Sequence, residues 1–183
     1  PGLDRADEIT AGWDHTCARS GGAVFCWGQN SHGQLGDGTF EPHLTPSRVA
    51  AELSAVEIAA GWSHTCARTR EGEVYCWGRR WGDEEDPATP EGRYSLFPMR
   101  IEGASGVVEI DAGGAHTCTR DTEGVVACWG RNNNGQLGSG LASELGSRTE
   151  PTVVPGLGPT EELVAGWVHT CARERSDRVL CWG

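Results

Sequence analysis

Gly12-Trp13-Asp14-His15-Thr16-Cys17, followed by Cys26-Trp27-Gly28, is a phrase that the chain repeats three more times. The later copies of its core are His64-Thr65-Cys66 with Cys76-Trp77-Gly78, His116-Thr117-Cys118 with Cys128-Trp129-Gly130, and His169-Thr170-Cys171 with Cys181-Trp182-Gly183. Successive first cysteines lie 49, 52 and 53 residues apart. A period near fifty marks an array of equivalent structural units rather than one ordinary domain. All eight cysteines of the 183-residue chain fall inside the four copies.

Each copy has the composition of strands and turns. In the second, Val56 to Arg68 is a run of small and β-prone residues, and Glu73 to Gly78 is a second one. Together they read as two strands joined by a tight turn. Turn chemistry fixes the register. In the first copy the cysteines are nine residues apart, and facing them leaves Gly21-Gly22 as a two-residue loop, where positive φ is required twice. In the others they are ten apart, which leaves Arg70-Glu71-Gly72, Thr122-Glu123-Gly124 and Arg175-Ser176-Asp177. A three-residue loop places its last residue in the left-handed region, which Gly favours and Asp tolerates. The paired cysteines then occupy a non-hydrogen-bonded site, where facing Cα atoms lie about 4.5 Å apart, near enough for a disulfide. The expected bonds are Cys17–Cys26, Cys66–Cys76, Cys118–Cys128 and Cys171–Cys181. No pair has the two-to-four-residue spacing of zinc ligands.

A second signature follows the hairpin. Gln29-Asn30-Ser31-His32-Gly33-Gln34-Leu35-Gly36-Asp37-Gly38 matches Arg131-Asn132-Asn133-Asn134-Gly135-Gln136-Leu137-Gly138-Ser139-Gly140. Pro-containing segments come next: Thr45–Val49, Leu96–Ile101 and Pro151–Val154. Each suits an edge strand, where a missing N–H is tolerated. Three to four short strands per unit describe a propeller blade better than a solenoid rung. The units run approximately over residues 1–49, 50–102, 103–154 and 155–183, the last incomplete.

Composition narrows the function. Acidic residues number 26 against 15 arginines, with no lysine, for a net charge of −11. Nucleic-acid binding is excluded on that balance, because phosphate recognition needs a basic surface. No run approaches the ~20 apolar residues of a membrane helix. There is no nucleophile elbow, phosphate loop or His-Glu-x-x-His, so neither catalysis nor a metal or other cofactor is expected. The recurrent His15, His64, His116 and His169 read as packing residues that bond to neighbouring turns. Trp27, Trp77, Trp129 and Trp182 read as packing between blades.

The phrases Gly-Trp-x-His-Thr, Val-x-Cys-Trp-Gly and Asn-x-x-Gly-Gln-Leu-Gly-x-Gly resemble the repeat of the regulator of chromosome condensation family. The resemblance covers essentially the whole chain and implies an all-β, seven-bladed propeller, of which about three and a half repeats are present. Pro1-Gly2-Leu3 matches Pro155-Gly156-Leu157, so the chain is expected to begin inside a repeat. The remaining blades are expected from the same longer chain or, less readily, from a second copy. The family's founding member exchanges nucleotide on the small GTPase Ran at chromatin. This chain's negative charge and paired cysteines oppose that activity. A plant ultraviolet-B photoreceptor of the family relies on Trp followed by Arg. Here Asp14, Ser63, Ala115 and Val168 stand at the second position, Gly114 replaces the third Trp, and Trp13, Trp62 and Trp167 read as blade packing. Secreted propeller inhibitors of β-lactamase fit a disulfide-bearing chain better.

The sequence therefore points to an extracellular, surface-displayed or periplasmic propeller that binds a protein or polymer through its blade loops. The alternative is an accessory propeller of a larger secreted enzyme or adhesin. In a repeat protein the specific residues stand where copies differ. The second copy replaces Gln-Leu-Gly with an irregular loop, which makes Trp81, Asp83, Glu84, Glu85, Asp86, Arg93 and Tyr94 candidates for partner binding. Phe40 to His43 are candidates in the first.

Overall fold

The computed structural model describes residues 2–80, 93–140 and 146–183. It contains four antiparallel sheets in chain order. The first is β1 (Glu8–Ala11), β2 (His15–Ser20), β3 (Ala23–Gly28) and β4 (His43–Arg48). The second is β5 (Ala55–Ala60), β6 (His64–Thr69), β7 (Val74–Arg79) and β8 (Tyr94–Arg100). The third is β9 (Val107–Ala112), β10 (His116–Asp121), β11 (Val126–Gly130) and β12 (Arg148–Val153). The last has three strands, β13 (Thr160–Ala165), β14 (Thr170–Glu174) and β15 (Val179–Trp182). The Pro-bearing strands β4, β8 and β12 are the outer edges of their sheets.

The hairpin loops carry the backbone that their residues allow. Gly21 and Gly22 have φ of 57° and 84°, and the three-residue loops end on Gly72, Gly124 and Asp177 at 77°, 86° and 62°. Each cysteine faces its partner across the hairpin, and four disulfides form at Cα separations of 4.1 Å.

One part of the sequence reading needs correction. Val56 to Arg68 is not one strand. It is β5 and β6, antiparallel and folded back at Gly61-Trp62-Ser63. The other copies turn at Gly12, Gly113 and Gly166. A Cβ on Gly12 would overlap the carbonyl oxygen of Gly61, and one on Gly61 or Gly113 would meet that of Gly113 or Gly166. The first strands of successive sheets thus converge closely enough that only glycine fits their ends, as a propeller axis requires.

The core lies between sheets rather than within one. Cys17, Val24, Cys26, Leu35 and Val49 from the first sheet's segment pack with Ile58, Ala67 and Trp77 from the second. Cys118, Val126, Leu137 and Val154 pack with Leu163 and Trp182 in the same way.

Candidate partner-binding face

Register decides which loops share a face. Gly28 at the end of β3 pairs with His15 at the start of β2, and β4 begins opposite Gly28 at His43. The β1–β2 turn and the β3–β4 loop therefore leave the sheet at the same end. The same holds in the second and third sheets, where Gly78 faces His64 and Gly130 faces His116. One propeller face thus carries the Gly-Trp turns around the axis and the long loops outside them.

At the axis, Trp13, Trp62 and Trp167 form a cluster with ring centroids 5.1 Å (Trp13–Trp167) and 5.4 Å (Trp62–Trp167) apart. Trp13 is 68% exposed and Trp167 47%. The three rings, one each from the first, second and fourth sheets, thus pack against one another across blades at the surface end of the axis rather than in a buried core. Gly114, which breaks the repeat, is the reason: its backbone lies beneath the Trp167 ring. Trp62 N–H donates to the Gly114 carbonyl at 3.0 Å, and Gly114 N–H donates to that of Trp167 at 3.0 Å. A tryptophan in the third copy would displace the neighbouring indole.

Outside the axis, Tyr94 lies 6.0 Å from Phe40 and 5.4 Å from His32, centroid to centroid. The first loop is tied to β8 by Gly38 N–H donating to the Leu96 carbonyl at 3.0 Å. The structure thus brings Tyr94, from the second sheet, to the Phe40 loop of the first. Phe40 and Phe97 are about half exposed, and Leu44 almost fully. Arg93 precedes Tyr94, and its carbonyl accepts from Arg80 N–H at 2.7 Å. Trp81 and Asp83 to Asp86 lie outside the described residues.

Beneath this face runs a ladder that links the sheets. His15 Nε2 is 2.8 Å from Thr65 Oγ1, His64 Nε2 is 2.9 Å from Thr117 Oγ1, and His116 Nε2 is 2.8 Å from Thr170 Oγ1. Thr65 donates its hydroxyl proton to the Gln34 carbonyl at 2.9 Å, and Thr170 donates to that of Gln136 at 3.1 Å. At those two rungs the imidazole must therefore donate from Nε2. Burial disfavours the imidazolium and holds His15 and His116 down to about 4 and His64 to about 3. These rings are neutral hydrogen-bonding groups, each committed to the next sheet. Among the described residues no group of three or more His, Cys, Asp or Glu is placed to hold a metal ion.

The Asn-x-x-Gly-Gln-Leu-Gly loops close the gaps between sheets. Asn30 is fully buried; its Oδ1 accepts from Leu35 N–H at 3.0 Å while its Nδ2 donates to the Thr39 and Glu41 carbonyls, both at 3.0 Å. Asn132 holds Leu137 N–H at 3.0 Å in the same way. So held, the Gln34 carbonyl accepts from the Trp77 indole at 2.9 Å as well as from Thr65, and the Gln136 carbonyl accepts from Trp182 at 3.0 Å as well as from Thr170. Leu35 and Leu137 fill the space beneath, 0% and 2% exposed.

Comparison with known proteins agrees with this geometry. The regulator of chromosome condensation (RCC1) repeat matches residues 21–68 and 123–173, and a second description of the same repeat matches 7–34 and 107–136. The ultraviolet-B receptor UVR8 of Arabidopsis thaliana is 32% identical over 96% of the chain and 40% of its own length. The mitochondrial RCC1 domain-containing protein RUG3, from the same plant, is 33% identical over 88% of the chain and 38% of its own length. Yeast RCC1 (Prp20), solved bound to Kap60, superposes with a TM-score of 0.84 at 22% identity, over the whole chain and 45% of its own. The chain spans about two fifths of the length of the curated relatives it matches. With its sheets, axial glycines and Gln-Leu-Gly loops, this chain belongs to the regulator of chromosome condensation (RCC1) repeat family.

Proposed function

We propose that the chain is a non-catalytic part of an RCC1-type propeller, exported or displayed at a cell surface, that binds a protein or extracellular polymer through the face bearing the Gly-Trp turns and β3–β4 loops. The observation that carries this reading is the gathering of exposed aromatic side chains there: Trp13 and Trp167 at the axis, Phe40 with Tyr94 outside it. On a chain of net charge −11, exposed aromatic side chains gathered on one face are the mark of a recognition surface. The four disulfides support an oxidising compartment. Because the chain spans only 40% of its relative UVR8, further blades of a longer chain are proposed to complete the ring. The same observation favours a second reading, an accessory propeller within a larger secreted protein.

The test is site-specific photocrosslinking in the native host. A photoreactive phenylalanine analogue replaces Trp13, Phe40 or Tyr94 on the proposed face, and Glu71 or Glu123 on the opposite one. Discrete adducts from the first set alone, in the extracytoplasmic fraction, are the expected result. Adducts from both faces alike, or from neither, overturn the reading, and an intracellular chain with free thiols overturns its export.

A further inference from the structure

The four turns around the axis differ in a way that packing does not require. The residue two before the repeat's Thr-bearing strand continues past His, read in turn as the one just ahead of the histidine, is Asp14, Ser63, Ala115 and Val168, so only the first turn carries a charge. That residue is exposed and directly follows Trp13, the most exposed of the axial tryptophans. Its Oδ1 accepts from Nε2 of the fully buried Gln34 at 3.4 Å, and no arginine among the described residues pairs with it. The same Gln34 whose carbonyl anchors Thr65 and Trp77 thus also holds this carboxylate at the surface. Trp13 and Trp167 touch at 5.1 Å between centroids, and no described cation lies over either ring. The basin they line, of about 280 Å³, is otherwise walled by glycine, alanine and Trp62, and no described residue of its lining is charged.

We propose that this turn receives an arginine side chain projecting from the partner protein, with the guanidinium over the indole faces of Trp13 and Trp167 and its N–H groups donated to Asp14. The inference rests on the reading of this face as a partner surface and narrows the partner to one that presents an arginine. Three physical points select the cation. Trp has the most strongly attracting ring face of the aromatic side chains for a cation within about 6 Å of its centroid. A planar guanidinium stacks on a ring and still offers its edge N–H groups to a carboxylate, which an ammonium does not. The net charge of −11 draws a cationic segment toward the chain and repels an anionic one. A purely apolar ligand would use the rings and leave the exposed, Gln34-held carboxylate without a role.

The probe is acetyl-Gly-Gly-Arg-Gly-Gly-amide, titrated into the ¹⁵N-tryptophan-labelled chain, with the citrulline peptide, alike in shape and neutral, as its control. The Trp13 and Trp167 indole N–H resonances, assigned with Trp13→Phe and Trp167→Phe, are expected to shift saturably with the arginine peptide while that of buried Trp77 stays in place. Citrulline in the peptide, and separately Asp14→Asn in the chain, are each expected to weaken binding roughly tenfold. Glu71→Gln on the opposite face removes the same charge and is expected to leave binding unchanged. Indoles that stay still up to the peptide's solubility limit overturn the proposal. So do equal affinities for arginine and citrulline, which mean apolar contact, and equal weakening by Asp14→Asn and Glu71→Gln, which means attraction to the net charge alone. Crosslinks at Phe40 and Tyr94 report the binding face independently, so loss of the arginine site and loss of the face are read separately.

Discussion

Three of the four recurrent histidines show how a repeated residue that suggests chemistry can serve the packing of sheet on sheet. A ring of imidazoles suggests metal or proton chemistry, yet His15, His64 and His116 each spend Nε2 on the threonine of the next sheet. Their environment gives them a measurable signature. Burial holds them to about 4, 3 and 4 in the folded chain, against an ordinary value near 6.5. The unfolded chain therefore binds more protons than the folded one between these values. The stabilisation is complete above pH 6.5 and is lost as the pH falls toward 4 and then 3, with each histidine contributing up to about 1.4 kcal/mol per pH unit. Thermal melts are expected to show a steep loss of Tm over this range. Replacing His64 with glutamine, which keeps a donor, is expected to lower Tm at pH 7 and to flatten the acid slope. An acid slope unchanged in that variant would show that other groups set it.

The hairpins were the most legible elements, because loop length and turn residue type vary together. The one-residue difference between Cys17–Cys26 and the other pairs is matched by the change from Gly21-Gly22 to three-residue loops. The Gly-Trp turn was less legible. A run such as Val56 to Arg68 has continuous β propensity, and the only sign of a fold-back is the glycine three residues before the histidine in every copy, Gly12, Gly61, Gly113 and Gly166. That glycine answers to a contact with the next sheet, which a reading of one repeat does not contain. The exposure of Trp13 and Trp167 was hidden for the same reason, since it depends on Gly114 two repeats away from the first. Removing Cys66–Cys76 by the double replacement with serine opens a ten-residue separation and is expected to cost about 2–3 kcal/mol in the chain-entropy model. Because Cys76 is half-buried, mild reductant is expected to open this bond before Cys118–Cys128, as differential alkylation and peptide mapping would show. Simultaneous opening of the two would contradict the uneven shelter.

At the scale of the whole array, each sheet completes its neighbour in one direction. It gives an imidazole forward and receives one on its threonine. The rule ends at the two outer sheets, and their chemistry is complementary. His169 is exposed where His15, His64 and His116 are buried, and Thr16 is half-buried where Thr65, Thr117 and Thr170 are buried. Apolar side chains flank both: Ile9 is 66% exposed on the first sheet, Val164 52% and Val179 61% on the last. A forward surface that fits the rear surface of the same chain defines a head-to-tail contact, which closes or propagates according to its angle. The 183-residue chain expressed by itself is therefore expected to associate reversibly, with a sedimentation coefficient that rises with concentration. Ile9→Asp on the rear surface or Val164→Asp on the forward one should each return it to the monomer, because a heterologous contact needs both surfaces. Mixing the two variants should restore association only to a dimer, since together they retain one intact forward and one intact rear surface. A wild-type chain that stays monomeric as its concentration rises would show that these two surfaces do not pair with each other.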